Sequence, residues 1–220
     1  MAPMATPQRS IILPAAATQF PTARLVWTLW IVVSIVGAVI GALIAWRIRV
    51  LFLQGPGFLG QALSYVATVA NAIIASGAQW LILRRYRLDV YWWVPATVGA
   101  SLISGIIVIP AVLRAFAPPA GGHISPSAAV LSSVLALAAS GLIAGIAQSL
   151  VLRSSAGNIA LVWIPATIIG NGLAGAATSV LSAQLFAAGL PSVLFLSLVA
   201  AAGALLVSVS QAPALLRILR

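Results

Sequence analysis

The 220-residue chain contains no cysteine, which excludes disulfides, thiolate metal sites and iron–sulfur clusters. Lysine and glutamate are also absent, Asp89 is the only acidic residue, and His123 is the only histidine. Charged residues amount to 5% of the chain, whereas about a quarter of the residues of a soluble domain are charged. So few charges cannot cover a water-exposed surface, and the main solvent of this chain must therefore be lipid.

Hydrophobic residues make up 62% of the chain. They form six stretches long enough for a membrane-crossing helix, which needs about 20 apolar residues. These are Leu25–Trp46, Phe58–Leu83, Tyr91–Leu113, Ala128–Leu152, Ile159–Leu185 and Leu190–Leu216. We predict an all-α integral membrane bundle of about six transmembrane helices. Residues 1–23 are predicted to be a flexible cytoplasmic tail, and residues 24–220 a single transmembrane domain.

All eleven basic residues are arginines, and they lie mostly at the ends of the apolar stretches. With six spans, eight fall on one side: Arg9, Arg24, Arg84, Arg85, Arg87, Arg153, Arg217 and Arg220. Arg47, Arg49 and Arg114 fall on the other side. Because positively charged flanks stay in the cytoplasm, both termini are predicted to be cytoplasmic. This placement favours attraction to anionic lipid headgroups over nucleic-acid binding.

The tryptophans and the missing residue types both bear on the kind of membrane. Six of the seven tryptophans fall near the predicted cytoplasmic interface and are predicted to form an aromatic belt there. They are Trp27, Trp30, Trp80, Trp92, Trp93 and Trp163. The absence of lysine and glutamate indicates a GC-rich genome, and we therefore predict a bacterial cytoplasmic membrane.

The chain contains an internal repeat. Residues 71–84 (NAIIASGAQWLILR) and 140–153 (SGLIAGIAQSLVLR) are identical at seven of fourteen positions, and Trp93–Thr97 then matches Trp163–Thr167. The two copies, about 58–113 and 128–185, are offset by two spans and so form a parallel repeat. Fainter copies are predicted in helix six, at Gln211, and in helix one, where Trp27 is matched to Trp163. We predict three hairpins in a ring, with helix six packed beside helix one.

The arrangement Gln-x-x-x-Leu-Arg followed by Trp resembles that of repeat-bearing bacterial membrane proteins of uncharacterised function, often met in cyanobacteria and Chloroflexi. The matching residues are Gln79, Leu83, Arg84 and Trp93, with Gln148, Leu152, Arg153 and Trp163 in the second copy. The resemblance covers residues 71–105 and 140–175. It implies a topology and no catalytic mechanism.

The few ionisable residues restrict the chemistry. His123 and Asp89 are predicted on opposite sides of about 30 Å of hydrocarbon, so they cannot form a catalytic dyad or a metal site. None of the predicted spans contains the acid or histidine that proton-coupled transport usually requires. We therefore predict a protein that is not an enzyme and has no metal or cofactor.

Repeated polar side chains supply the candidate binding residues. Gln79 and Gln148, with Arg84 and Arg153 beside them, are candidates for binding a lipid headgroup or an anionic ligand; the alternative is that the amides only join neighbouring helices. Asn71 and Asn171 lie near mid-membrane. They could line a cavity or ligate a pigment magnesium, or they could be satisfied core amides.

Two functions agree with this inventory. The first is a non-catalytic scaffold, an accessory subunit of a larger membrane complex or a lipid-binding membrane protein. Its partners would be membrane lipids, other membrane subunits or further copies of itself. The alternative is a small permease or channel for a neutral or anionic solute. A permease or channel would have a continuous cavity along the polar faces of two helices. These faces carry Ser64, Asn71 and Gln79 on one helix and Ser133, Ser140 and Gln148 on the other, and we call them the polar stripes.

Overall fold

The computed structural model describes residues 23–52, 58–86, 88–118 and 122–219, and most of them are helical. There are seven α-helices in this part of the chain: α1 Ala23–Phe52, α2 Phe58–Arg85, α3 Trp93–Ile103, α4 Ile109–Ala115, α5 Pro126–Ala156, α6 Trp163–Ala187 and α7 Ser192–Ile218. Each predicted apolar stretch coincides with one long helix or, for the third stretch, with α3 and α4. The predicted tail, residues 1–23, lies outside the described residues except for Ala23.

Local sequence signals account for the helix ends. Helix α5 begins with Pro126 in its first turn, and the Ser125 hydroxyl oxygen accepts a hydrogen bond from the Ala128 amide at 3.2 Å. This is the usual serine N-cap followed by proline, whose missing N–H costs nothing there. The same helix stops at Gly157, which has a φ of 57°, a conformation that glycine adopts without steric cost.

The third apolar stretch is not one uniform helix. A π-helical turn, Ser104–Val108, separates α3 from α4. Pro110 follows directly in the first turn of α4. Because proline has no backbone N–H, it cannot continue the α-helical hydrogen-bond ladder to the preceding turn, and a local π bulge is one way of accommodating it.

The helices pack against their neighbours in a definite order. Helix α1 contacts both α2 and α7, α2 contacts α3, α3 contacts α5, α5 contacts α6, and α6 contacts α7. Glycines bring several of these helices to backbone contact: a Cβ added at Gly141 would lie 2.7 Å from the Thr167 carbonyl oxygen, and one at Gly170 would lie 2.9 Å from the Val207 Cα. Such small-residue contacts are typical of helix packing in membranes.

The outward surface is apolar, as a lipid environment requires. Leu81, Leu150 and Ile107, on three different helices, are each more than 60% exposed. Five stretches of the described chain are long and apolar enough to cross a membrane. One of them, 62 residues long, contains α5 and α6 packed against each other. The described part of the chain is thus all-helical, with helices long and apolar enough to cross a membrane, which confirms this coarser part of the sequence prediction.

Candidate functional site

Three tryptophans meet in the centre of the bundle. Trp30 on α1, Trp93 on α3 and Trp163 on α6 are each 0% exposed, and we call them the tryptophan cluster. Their ring centroids are 5.6 to 6.4 Å apart, with interplanar angles of 74° to 82°. This edge-to-face geometry is favoured by the aromatic quadrupole and contributes about 0.5–1.5 kcal/mol per pair beyond the area buried.

The aromatic-belt prediction is wrong for these three residues. A belt residue faces the lipid, as Trp27 (40% exposed) and Trp92 (71% exposed) do. The cluster lies at a similar level, close to the same helix ends, but the three indoles point into the bundle. Hydropathy locates a tryptophan along a span and does not say which face of the helix carries it.

A layer of leucines packs against the cluster. Leu83, Leu152 and Leu215, on α2, α5 and α7, are each 0% exposed and belong to the same buried core. The arginines that follow them, Arg84, Arg153 and Arg217, are exposed. We call this end of the bundle the Arg84 end, and the opposite end, where α1 carries Arg49, the Arg49 end.

Gln148 joins three helices beneath the tryptophan cluster. It is 4% exposed. From α5, its Nε2 donates a hydrogen bond to the Thr97 hydroxyl on α3 at 3.0 Å, and its Oε1 accepts one from the Trp163 indole on α6 at 2.8 Å. The Thr97 hydroxyl in turn donates to the Trp93 carbonyl at 2.9 Å. Both ends of this amide are therefore engaged by protein groups.

Two further glutamines make the corresponding contact on other helices. Gln79 Nε2 donates to the Ser34 hydroxyl at 3.1 Å, and Gln211 Nε2 donates to the Thr167 hydroxyl at 3.2 Å. Each of the three acceptors lies four residues after a tryptophan of the cluster. We call Gln79, Gln148 and Gln211 the glutamine set.

Sequence reasoning missed Trp30 and underrated Gln211. It matched Trp27 to Trp163, whereas the structure places Trp30 in the cluster and Trp27 outside it. The signal that could have found Trp30 lies after the tryptophan: a hydroxyl residue at +4 and a small residue at +7. This pattern occurs as Trp30-Ser34-Gly37, Trp93-Thr97-Ala100 and Trp163-Thr167-Gly170.

Three buried polar atoms near the glutamine set have no hydrogen-bond partner among the described residues: Trp30 Nε1, Trp93 Nε1 and Gln211 Oε1. The pair formed by Trp163 and Gln148 shows how an indole N–H can be satisfied at this level. By the same pairing, Gln211 is the natural acceptor for Trp30, because α7 packs against α1.

Arg84 and Arg153 face away from the glutamine amides. Both are exposed, and the Arg84 guanidinium carbon lies 5.1 Å from the Trp80 ring centroid, in a cation–π contact. Arg84 and Trp80 also line a surface cavity of about 330 Å³ together with Asp89 and Tyr91. A headgroup-binding role for the two arginines stays a prediction, but both amides are engaged within the protein: Gln148 is buried, and Gln79 is part-buried and bonded to Ser34.

The loop before α3 is tied to the end of α5. The Asp89 amide donates to the Ser155 hydroxyl at 2.9 Å, and the Ser154 hydroxyl donates to the Asp89 carbonyl at 3.2 Å. These bonds hold the start of α3, and with it Trp93, against α5.

The two asparagines differ in their surroundings. Asn171 Nδ2 donates to the Thr167 carbonyl on its own helix at 2.9 Å. Asn71 Oδ1 is buried with no partner among the described residues, and Asn71 lines a cavity of about 210 Å³ at the Arg49 end. That cavity, which we call the Arg49 cavity, is lined by Ala42, Ala45, Trp46, Arg49, Ala67, Thr68, Asn71 and Leu196.

Two serines of the polar stripes bond within their own helix. The Ser133 and Ser140 hydroxyls each donate to a carbonyl four residues back on α5, at 2.9 and 2.8 Å. The side chain of Ser64 lies outside the described residues. No cluster of three or more His, Cys, Asp or Glu side chains able to hold a metal ion occurs in the described part of the chain.

Comparison with known proteins adds no relative. No protein-family model matches the chain, and no curated protein or solved structure is significantly similar to it.

Proposed function

We propose that this chain is a non-catalytic integral membrane protein that acts as a scaffold or accessory subunit of a larger membrane complex and binds lipid at its surface. The observation that carries the proposal is the tryptophan cluster. Three indoles with 0% exposure fill the centre of the bundle at the Arg84 end, and the glutamine set joins the surrounding helices beneath them. A solute moving through the centre would have to displace this packed layer.

The internal repeat fits this role as a structural device. We propose three pseudo-equivalent hairpins, α2 with α3, α5 with α6, and α7 with α1, arranged in a ring. Three parallel sets of residues support it: the tryptophan cluster, the glutamine set, and the hydroxyls of Ser34, Thr97 and Thr167. The contact of α7 with α1 closes the order of neighbours, as a ring requires.

The same proposal includes a membrane placement. The 62-residue apolar stretch would be about 90 Å long as one straight helix, and it contains α5 and α6 packed side by side, so we propose that it crosses twice. Six crossings leave both termini on one side. The arginines of the Arg84 end put that side in the cytoplasm by the positive-inside rule, in a bacterial cytoplasmic membrane.

Within this placement, Arg84 and Arg153 are proposed to contact anionic headgroups of the cytoplasmic leaflet. Exposed arginines at helix ends meet such headgroups through charge attraction and hydrogen bonding to phosphate. Gln79 and Gln148 have a different proposed role, since their amides donate to hydroxyls of neighbouring helices and hold those helices together. Asn171 is satisfied on its own helix and is proposed to be a core amide.

One observation favours the alternative of a small permease or channel. The Arg49 cavity gives the bundle a polar recess at one end, as an entry site would. The tryptophan cluster separates it from the Arg84 end. Transport would therefore require the cluster to open, and the edge-to-face contacts and hydrogen bonds described above oppose such a movement.

The test is purification of the full chain from its native membrane in a mild detergent. We expect a stoichiometric partner protein in the mass spectrum of the purified complex, and the absorption spectrum reports any pigment that the complex carries. A lone oligomer that carries only lipid, and that conducts a neutral or anionic solute when reconstituted in vesicles, would contradict the proposal. Gln79→Leu and Gln148→Leu would then show whether the glutamine set controls that flux.

A further inference from the structure

The loop between α2 and α3 borders a surface cavity that carries charges of both signs. We call it the Arg84 cavity. It has a volume of about 330 Å³ and is lined by Trp80, Arg84, Leu88, Asp89, Val90 and Tyr91. Arg84 and Asp89 are both exposed, the first at the end of α2 and the second in the loop that follows. In the proposed membrane placement, the cavity therefore lies at the level of the lipid headgroups.

The two charges of the Arg84 cavity do not pair with each other. Arg84 and Asp89 both belong to the described part of the chain, and there they form no ion pair. The Arg84 guanidinium carbon lies instead 5.1 Å from the Trp80 ring centroid. The hydrogen bonds of Asp89 to described residues are made by its backbone. A cation and a carboxylate that border one cavity without touching leave room for a ligand with the two opposite charges.

Both charged residues are positioned by neighbouring helices before any ligand binds. The Asp89 amide donates to the Ser155 hydroxyl at 2.9 Å, and the Ser154 hydroxyl donates to the Asp89 carbonyl at 3.2 Å, so the loop is attached to α5. Trp80 packs against the buried core, and its ring restricts the Arg84 guanidinium. Groups that are already ordered lose less conformational entropy when a ligand binds.

A second cavity lies on the α5 side of the same loop. It has a volume of about 360 Å³ and shares Asp89 and Tyr91 with the Arg84 cavity, but its other lining residues are Trp92, Leu150, Val151 and Ser154. None of these is basic. Of the two cavities, the Arg84 cavity is therefore the one that can bind an anionic group and a cationic group together.

The outward face of α2 leads from the Arg84 cavity toward the membrane centre. Gly77 and Ile73 precede Arg84 by 7 and 11 residues, so they share its face of the helix. A Cβ added at Gly77 would meet nothing within 4 Å among the described residues, and Ile73 is 47% exposed. From Arg84 to Ile73 the helix rises about 16 Å, roughly the hydrocarbon depth of one leaflet. A lipid head in the cavity can thus extend an acyl chain inward along this face.

We infer that the Arg84 cavity binds the headgroup of a phospholipid that carries a phosphate and a primary ammonium group, as phosphatidylethanolamine does. The phosphate contacts Arg84, whose fork of N–H donors matches phosphate oxygens. The ammonium donates to the Asp89 carboxylate. Only a short ethanolamine link separates the two groups, so one molecule reaches both charges. An anionic head such as that of phosphatidylglycerol would satisfy Arg84 but would bring a net negative charge beside Asp89.

This assignment rests on the proposed function, because it uses the membrane placement and the lipid binding proposed above. It specifies the headgroup at Arg84. Arg153 lines neither cavity and keeps its proposed contact with anionic headgroups.

The test uses the full-length protein, freed of lipid in a neutral detergent and titrated with phosphatidylethanolamine or with phosphatidylglycerol of the same chain length. Salt at about 0.15 M screens the general attraction of the arginines for anionic lipid. The readouts are binding by native mass spectrometry and the shift in the thermal unfolding midpoint. We expect saturable binding of one phosphatidylethanolamine.

Two related ligands define the group that is bound. Phosphatidylcholine, whose ammonium has no N–H to donate, should bind about 3- to 5-fold more weakly, as expected for loss of an exposed charge pair. Glycerophosphoethanolamine has the same head without acyl chains. It should give no shift at concentrations at which the lipid saturates, which separates a lipid site from a site for a soluble phosphate ester.

Variants locate the two charges. Asp89→Asn keeps the backbone bonds of the loop and should lower the ratio of phosphatidylethanolamine to phosphatidylglycerol affinity about 5-fold. Arg84→Gln should weaken the binding of both lipids about 5-fold and leave that ratio unchanged. Arg85→Gln is the matched control and should have little effect, since Arg85 is the next residue, is also exposed and does not line the cavity.

Four results would overturn the inference: an unchanged affinity ratio in Asp89→Asn, equal binding of phosphatidylcholine, equally tight binding of glycerophosphoethanolamine, or equal losses in Arg84→Gln and Arg85→Gln. Any of these can occur while a stoichiometric partner protein co-purifies and other lipids bind, in which case the proposed function stands. Conversely, solute flux through a lone chain would contradict the proposed function and leave a measured headgroup preference intact.

Discussion

At the Arg84 end of the bundle, three indoles and three leucines fill the centre between the helices, and the cavity beside Arg84 lies at the surface. At the Arg49 end, the space between α1, α2 and α7 is a cavity. The residues that line it on α1 and α2 include Ala42, Ala45 and Ala67, which are too small to close the gap. The two ends are built from the same helices, so side-chain volume accounts for the difference.

Two buried amides, one at each end, differ in their partners. Gln148 at the Arg84 end has protein partners on both amide atoms, whereas Asn71 at the Arg49 end has an oxygen without one among the described residues, as Gln211 has at the Arg84 end. In lipid no water competes for or supplies such bonds, and an unpaired group is costly. The pairing of Gln148 therefore indicates a structural role, whereas Asn71 Oδ1, which lies against Gly41, is left without a partner in the described part of the chain.

The first prediction disrupts the tryptophan cluster at the Arg84 end, and it has the largest expected cost in stability. Trp163→Ala removes two edge-to-face contacts and the N–H that satisfies Gln148 Oε1. We expect a loss of about 3 kcal/mol in the free energy of unfolding, measured by denaturant titration in mixed micelles. Trp92→Ala, a change at an exposed tryptophan, is the control and should cost under about 0.5 kcal/mol. Equal losses would show that the cluster is not the core.

The second prediction concerns the tight contact of α5 with α6 at the Arg49 end. A Cβ on Gly175 would lie 2.5 Å from the Ser133 carbonyl oxygen, whereas one on Gly172 would meet nothing closer than 3.6 Å. Gly175→Ala should destabilise the protein by about 2 kcal/mol through overpacking. Gly172→Ala, three residues away on the same helix, should leave the unfolding midpoint unchanged or raise it. A reversed order would contradict the helix packing described here.

The third prediction removes the Gln148 amide at the Arg84 end. Gln148→Leu leaves the Trp163 indole without an acceptor and deletes the bond to Thr97. Interhelical bonds in membranes average about 0.6 kcal/mol, so we expect a loss of about 1 kcal/mol for the two. The measurement is the same denaturant titration. Gln184→Leu is the control, because Gln184 is exposed, and its substitution should have no measurable effect.

The fourth prediction concerns Asn71 and has the smallest expected change in the free energy of unfolding. Asn71→Leu in lipid-free micelles removes an amide oxygen that has no hydrogen-bond partner among the described residues, so the free energy of unfolding should change by less than about 0.5 kcal/mol or should rise. A loss as large as that of Gln148→Leu would mean that Asn71 is satisfied within the protein. The contrast between the two ends would then disappear.

Much of the fold could be predicted from hydropathy, because each apolar stretch became helical close to its expected bounds. The repeated glutamines were also found, since Gln79 and Gln148 recur at a fixed offset within matching letters. The inward direction of Trp30 could not be found in the same way. Trp27 and Trp30 are one helical turn apart in nearly identical surroundings, and only the contacts of Ser34 and Gly37 distinguish their faces.

The Arg49 cavity was only partly predictable, because the sequence offered a cavity-lining role to Asn71 and Asn171 alike. Asn71 and Asn171 are each the single asparagine of an apolar helix, and nothing in the neighbouring residues of the sequence separates them. What separates them is tertiary: Asn171 bonds to its own helix, whereas Asn71 lies against Gly41 on α1 and lines a cavity with Arg49. A cavity depends on the volumes of side chains from three helices, and a single sequence does not show which helices pack against each other.

The contact of α7 with α1 also bears on how the protein is made. Trp30 is synthesised about 180 residues before Gln211 and Leu215, which pack at the same level. At about 5–20 residues per second, the first helix waits roughly 10 to 40 s in the membrane before its final neighbour arrives. Until then its inward face is open to lipid and to other nascent chains. A chain truncated before α7 would leave that face open permanently, and membrane quality control would have a distinct feature by which to recognise it.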